Sequence, residues 1–356
     1  MRIIITVLLL TLLFTCKSKK TKEKSGSPKS TTETTSKVDL NKSIQTIAFG
    51  SCNKQDKPQD IWPFIQQNNP ELWVWLGDNI YGDTEDMAVM SRKYASVKNN
   101  AAYQNFQKKT TIIGTWDDHD YGVNDGGKGF AKKEGSKKCL LDFLEVPQNA
   151  AVRNRPGIYD AYTFGPADKK VKVILLDERW FRDDLQKATD GKRRYVPNET
   201  GDILGEAQWK WLETELNDKT VQLNIIAGGI QVIPKEHGYE KWANFPAARK
   251  RLFDLFQKIN PPNVMLLSGD RHIAEISKIE LEGMDDPLYE ITSSGLTHSW
   301  TRVGTEPNQY REGDLIIARN FGIMHLNWKK QQQLDVLVQI KGVGNKLLLE
   351  KNISFD

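Results

Sequence analysis

Thr115-Trp116-Asp117-Asp118-His119-Asp120-Tyr121-Gly122 puts three carboxylates and an imidazole into four consecutive positions, directly after the apolar run 111–113. A chain that ends a buried strand in so much like charge either leaves it solvated in a loop or gathers it around something cationic. Carboxylates a few ångströms apart in a partly buried site repel by an amount on the order of several kcal/mol, and each raises the pKa of the next unless donors or a cation intervene. A multivalent metal removes that penalty.

The rest of the chain sends similar groups to similar places. Short β-branched and aromatic runs alternate with stretches of helical period, the rhythm of an α/β layered domain. Strands are expected at 46–49, 72–76, 111–114, 171–176, 222–227, 264–267 and 288–292, with a closing antiparallel pair at 322–328 and 334–340 followed by 346–350. Helices are expected at 58–68, 86–106, 131–144, 205–217 and 246–259. The strands end, in order, in FGSCN (49–53), GDNIYGD (77–83), WDDHDYG (116–122), LDERWFRDD (176–184), GGIQV (228–232) and SGDRH (268–272). Open sheets of this kind bind ligands beyond the carboxyl ends of their strands. Cys52, Asp78, Asn79, Tyr81, Asp118, His119, Asp270 and His272 are therefore expected on one rim. A lone Asp after a strand is ordinarily a cap or turn residue; six successive strand ends bearing ligand-type groups are a pattern. Trp116 and Trp180 read as packing, and Glu178, Asp183 and Asp184 as a solvated face. His237 and His325 read as structural, and His298, in SSGLTHSW (293–300), as undecided.

The beginning of the chain is different. Arg2 precedes an apolar run, 3–14, too short to span a membrane but suited to a signal-peptide core. LFTC (13–16) resembles a bacterial lipobox, which would acylate Cys16; an ordinary signal peptide is the other reading, and both export the protein. From 17 to 43 eight lysines stand against three acids among Ser and Thr, the composition of a flexible tether. That tail carries more positive charge than the whole chain's net of +4, so the remainder is slightly acidic and gives no sign of a nucleic-acid partner. A lipid beside a lysine cluster favours a membrane surface instead, and no protein partner is implied. The domain boundaries expected are thus 1–16 signal, 17–43 tether and 44–356 folded domain. Cys52 and Cys139 are either a disulfide or two separate thiols; Cys139 lies inside a helical pattern, which favours the second.

Oxygen donors dominate the expected rim and only two histidines join it, which points away from a zinc-type site toward Ca²⁺, Mg²⁺, Mn²⁺ or Fe³⁺. A thiolate and a phenolate, from Cys52 and Tyr81, both suit ferric iron.

FGSCN, WLGDNIYGD, WDDHDYG, LLDERWFR and LSGDRH, in this order, resemble the PhoD-like (alkaline phosphatase D) family of metallophosphoesterases in the calcineurin-like superfamily, over residues from about 44 to at least 320. The resemblance implies a four-layer metallophosphoesterase sandwich, two mixed β-sheets flanked by helices. It also implies hydrolysis of phosphate esters at a cluster of Fe³⁺ and Ca²⁺, with Mn²⁺ or Mg²⁺ as other candidates, by a metal-activated hydroxide attacking phosphorus. Carried over residue by residue, Cys52, Asp78 and Tyr81 match iron ligands, and Asp118 a ligand of the second metal. His119 matches the catalytic histidine. Asp270 and His272 match the paired ligands of the last motif. Gln231 falls in the slot of another metal histidine, Asn79 and Asn320 are further candidates, and Arg182 resembles an arginine that grips phosphate. Many members carry an additional N-terminal domain, so this chain reads as a compact version. The expected activity is that of a phosphoric ester hydrolase, with phosphomonoesterase as one reading. A diesterase or phospholipase-like hydrolase on the same site is the alternative, and a non-enzymatic metal- or polyanion-binding surface lipoprotein a further one. The expected location is the periplasm or the outer membrane and cell surface, through the lipid anchor.

Overall fold

The structure is a computed structural model that describes residues 40–41, 43–189, 191, 194–302, 306–329 and 333–355. The expected signal segment, Cys16 and nearly all of the tether lie outside the described residues.

Alternation along the strands dictates the layers. In β1 (Thr46–Gly50) Ile47 and Phe49 face one way and Ala48 the other; in β2 (Leu72–Leu76) Leu72, Val74 and Leu76 oppose Trp73 and Trp75. Such strands are buried on both faces and need cover on both. The first sheet runs β14 (Leu347–Phe355), β13 (Leu334–Gly342), β12 (Asn320–Trp328), β1, β2, β3 (Thr111–Thr115), with β1, β2 and β3 parallel. The second runs β10 (Ala274–Ile279), β11 (Leu288–Ser293), β9 (Val264–Ser268), β8 (Leu223–Ala227), β5 (Val171–Leu175), β4 (Asp160–Phe164), with β5, β8, β9 and β11 parallel. One apolar core joins the two sheets: Ile47, Phe49, Leu72 and Val74 from the first share it with Val173, Ile225, Met265 and Ile291 from the second. A second core lies under α1 (Trp62–Gln66), α2 (Met87–Lys98), α3 (Ala101–Gln107) and α5 (Lys133–Phe143), a four-residue α4 (Asp118–Tyr121) coming between the last two. A third lies under α6 (Gly205–Leu216) and α7 (Pro246–Ile259). The result is the expected four-layer sandwich.

Every expected strand is present, and the differences have local causes. The helix expected at 86–106 is two helices, because Asn100 accepts hydrogen bonds from the backbone of Ala102 and Tyr103 and starts a new one. The helix expected from 58 begins only at Trp62, where Pro63 sits in the first turn and its missing N–H costs nothing. β4, β10 and the separate two-stranded ribbon of β6 (Gln186–Lys187) and β7 (Tyr195–Val196) were not expected; β10 places Glu275 and Ser277 in the interior, which hides its strand character, and Arg311 meets the Glu275 charge at 2.6 Å. Cys52 and Cys139 are separate buried thiols.

The packing is densest behind β2. Trp62 lies 5.2 Å from Trp73, 5.3 Å from Trp75 and 4.7 Å from Tyr103, ring centre to ring centre, in edge-to-face arrangements. Replacing Trp62 by Ala is expected to cost about 3–5 kcal/mol of unfolding free energy, measured by chemical denaturation; a loss under about 1 kcal/mol would contradict this account of the core.

Candidate metal centre

The carboxyl ends of the parallel strands meet at one edge of the sandwich, where the chain turns sharply enough to strain its backbone. Cys52, Asp78, Asp270 and His272 have φ of 59°, 49°, 63° and 54°. Such a conformation is unfavourable for any residue with a Cβ, and clusters of it mark functional sites. Gly77, at φ 83°, precedes Asp78, and a Cβ there would strike Asp117. The second and third strand ends are therefore in direct contact.

The three carboxylates of TWDDHDYG have three different fates. Asp120 accepts hydrogen bonds from the backbone N–H groups of Asp117 at 2.7 Å and of Asp78 and Asn79 at 3.2 Å each, and so ties two strand ends together. Asp117 forms a buried ion pair with Arg179, which also reaches Glu240 at 2.7 Å. Asp118 accepts from the Asp125 N–H at 2.6 Å through Oδ2, while its buried Oδ1 has no hydrogen-bond partner among the described residues.

Around that free oxygen the ligand-type atoms converge. Donor atoms of Cys52, Asp78 and His272 lie within 4.8 Å of one another, as do those of Asp78, Asp118 and His119, those of Asp117, Asp118 and Asp270, and those of Asp118, Asp125 and Glu240. Cys52 Sγ is 3.5 Å from Asp78 Oδ2, and the Tyr81 hydroxyl is 2.8 Å from His272 Nε2 and 3.1 Å from His298 Nε2. The Tyr81 and His119 rings lie 4.1 Å apart, and His119 Nδ1 meets Asp83 Oδ1 at 2.6 Å.

Left to themselves most of these groups resist ionisation; Asp118 is the exception, since burial raises it but Arg179, His119 and the Asp125 N–H outweigh burial and lower it. Burial, followed by Asp78 and Asp270, pushes the Cys52 thiol well up. Burial raises Asp78 well above the usual carboxylate range against the pull of His119, and it raises Asp270 to about 7, with Asp118 adding to it. His119 moves the other way: burial lowers it, but Asp78, the Asp83 hydrogen bond and Asp118 outweigh burial and bring it to about 10. His298 falls to about 4, first through burial and then through the charges of Lys57 and Lys54.

The donor set fits cations: overlapping acidic groups share Asp118, a buried carboxylate oxygen lacks any hydrogen bond, and a thiol, a phenol and an imidazole stand beside it. Cys52, Asp78 and His272, with the Tyr81 hydroxyl beside them, would hold one ion, and Asp118 with Asp270 another.

Comparison with known proteins identifies the chain's relatives. The family model for PhoD-like phosphatases matches residues 87–339. The chain belongs to the PhoD-like phosphatase family. Cys52, Asp78 and Tyr81 lie before the matched stretch. Alkaline phosphatase D of Bacillus subtilis is 24% identical over 351 residues, covering 85% of this chain and 58% of its own. The chain thus spans little more than half the length of that relative. A solved structure of PhoD superposes with a TM-score of 0.68 at 17% identity, over 89% of this chain and 72% of the other. A dimetal phosphatase from Danio rerio gives 0.54 at 13% identity, over 88% and 100%. At these identities the solved structures establish the fold alone.

Within this PhoD-like fold several expected site residues are elsewhere engaged. Arg182 is not free to grip phosphate. It is fully buried; it donates to the carbonyls of Asp183 at 2.6 Å, Asp125 at 2.5 Å and Gly126 at 2.7 Å, and its Nε lies 3.0 Å from Glu240. Its work is to fasten the turn that presents Asp125 to Asp118. Glu178 is no solvated face; it is buried, accepts from Ile230 N–H and the Trp242 indole, and burial raises it to about 7. Asp183 and Asp184 do reach solvent, Asp183 pairing with Lys128. Asn320 spends both ends of its amide on Ser293 and Ala318, so it supports the 293–295 turn rather than a ligand. Gln231 donates to Glu275 and Thr292 at 2.7 and 2.8 Å, and Asn79 to the Thr115 carbonyl at 2.9 Å; each keeps a buried amide oxygen without a partner. His298, undecided in the sequence, joins the Tyr81 hydroxyl. Asp83, Asp125, Arg179 and Glu240 belong to the site and were missed; only Asp83, closing the GDNIYGD motif, carried a signal that a reader could have used.

If Arg182 is structural, Arg182→Met leaves Glu240 short of a partner and is expected to cost about 3–5 kcal/mol of stability, read from denaturant unfolding. Unchanged stability with a selective rise in KM would restore it as a phosphate grip.

Proposed function

We propose that the protein is an exported, metal-dependent phosphoric ester hydrolase. The observation that carries this reading is the convergence of Cys52, Asp78, Asp118, His119, Asp270 and His272 from four strand ends, with ligand atoms in overlapping groups of 4.8 Å span. Fe³⁺ at Cys52, Asp78 and Tyr81 and Ca²⁺ at the all-carboxylate groups match thiolate and phenolate to the ferric ion and hard oxygens to calcium. Bound there, the ions would supply Lewis acidity toward the phosphoryl oxygens and lower the pKa of water.

The chain's own residues supply the remainder. His119 is fixed through Nδ1 by Asp83, which leaves Nε2 to meet the ester. A hydroxide oxygen, from a water that has lost its proton to solvent, bonds to phosphorus as the bond to the alcohol oxygen breaks; His119 Nε2 gives its proton to the departing oxygen and regains one from solvent, while Asp83 on Nδ1 steadies the charged ring. The Tyr81 ring, 4.1 Å away, limits how far the imidazole can swing. No side-chain nucleophile is required. Support for export and for a lipid anchor at Cys16 comes from the sequence of residues 1–16; among the described residues no helix is long and apolar enough to cross a membrane.

The test joins composition to activity. Elemental analysis of the purified full chain is expected to find iron and calcium, and chelation to abolish release of 4-nitrophenol from its phosphate esters. Asp78→Asn is expected to lower kcat/KM by about a thousandfold or more with the circular dichroism spectrum retained. Full activity in a metal-free preparation would overturn the proposal.

A further inference from the structure

With Arg182 committed to the protein, the substrate's negative charge needs another cation. The candidates at the rim are mostly spent: Arg179 pairs with Asp117 and Glu240, Arg271 with Glu306, Arg194 with Asp125, and Arg319 with Asp60. Lys93 donates to the carbonyls of Tyr81 and Gly82 at 2.8 Å each. Lys54 differs. It lies two residues beyond Cys52, half-buried, and its ammonium has no hydrogen bond or ion pair among the described residues. Its backbone is fixed, because Lys54 N–H donates to Thr297 Oγ1 at 2.8 Å and Thr297 donates in turn to the Cys52 carbonyl at 3.1 Å. Its Nζ stands 5.7 Å from the centre of the Tyr81 ring, the same ring that lies against His119. An unpaired cation thereby stands over the Tyr81 ring, whose neighbour is His119.

We propose that Lys54 contacts the anionic part of the substrate and favours the phosphomonoester dianion over the phosphodiester monoanion. This rests on the hydrolase reading above and names the substrate class of that site. The physical ground is Coulombic: a fixed cation in a partly desolvated rim gains about twice as much from two charges as from one at the same distance. Arginine at position 54 would keep the charge, whereas methionine would keep only the stem.

The experiment compares the full metal-loaded chain with Lys54→Met, Lys54→Arg and, as a distant surface control, Lys258→Met. It measures kcat/KM on 4-nitrophenyl phosphate and on bis(4-nitrophenyl) phosphate, and the affinity for inorganic phosphate by titration calorimetry. Lys54→Met is expected to lower kcat/KM for the monoester about tenfold and for the diester about threefold or less, and to weaken phosphate binding about tenfold, with Lys54→Arg restoring most of each loss. Equal losses on both esters, or unchanged phosphate affinity, would overturn the role of Lys54. Absence of turnover of both esters by the unsubstituted protein would instead sink the hydrolase reading, and the phosphate titration would still decide Lys54.

Discussion

Repulsion between carboxylates held at short range is the constraint on which the site depends. Asp78, Asp117, Asp118, Asp120 and Asp270 come from three strand ends and cannot all ionise in a buried space without compensation. The fold compensates two of them from its own resources. Backbone N–H groups converge on Asp120, and the Arg179 guanidinium pairs with Asp117, partly offsetting the burial that raises both. Asp78 and Asp270 are left without such partners beside Asp118, whose charge Arg179, His119 and the Asp125 N–H favour, with Cys52, His119 and His272 around them. That residue of uncompensated charge is what a cation cluster would answer.

The sandwich makes the convergence possible because parallel strands send their carboxyl ends to one edge. β1, β2 and β3 deliver Cys52, Asp78 and Asp118, and β9 delivers Asp270 and His272 from the opposing sheet. The apolar core shared by the sheets sets the gap between these ends, so that the centre is assembled across two sheets rather than along one. The buried Arg179, Arg182 and Glu240 network lies directly against this centre, Arg179 on Asp117 and Glu240 beside Asp118. Breaking that network would release the turn that carries Asp125, although none of its members needs to touch a substrate.

Much of this was legible in the sequence, for a physical reason. Period-two alternation reveals strands, and a polar group placed directly after an apolar run must lie where the run ends; Cys52, Asp78, Asp118, His119, Asp270 and His272 were all readable in that way. Pairing of charges in the interior is not readable. Glu178 and Arg182 sit in a string of charged residues that looks solvated, yet they meet Trp242 and Glu240 far along the chain. Asn320 was misleading in a related way, since an amide shows no sign in the sequence of whether its partners are protein or ligand. Glu240 follows no expected strand at all, and its contribution exists only once the sheets have closed.

The placement of the tightest packing then acquires a meaning. Positive φ at Cys52, Asp78, Asp270 and His272 costs about 1–3 kcal/mol each, and the same carboxylates gain by moving apart. Nothing in the turns alone would resist that relaxation. Behind the most crowded of them, however, Trp73 and Trp75 of β2 are wedged against Trp62, Tyr103 and Phe106, all almost inaccessible to solvent. Interiors so filled yield little to local strain. β2 therefore cannot withdraw, Gly77 leaves no space between its end and Asp117, and Asp120 fastens the two turns together. The aromatic layer acts as a floor that holds like charges at a separation they would not choose, which is the condition for them to share a cation.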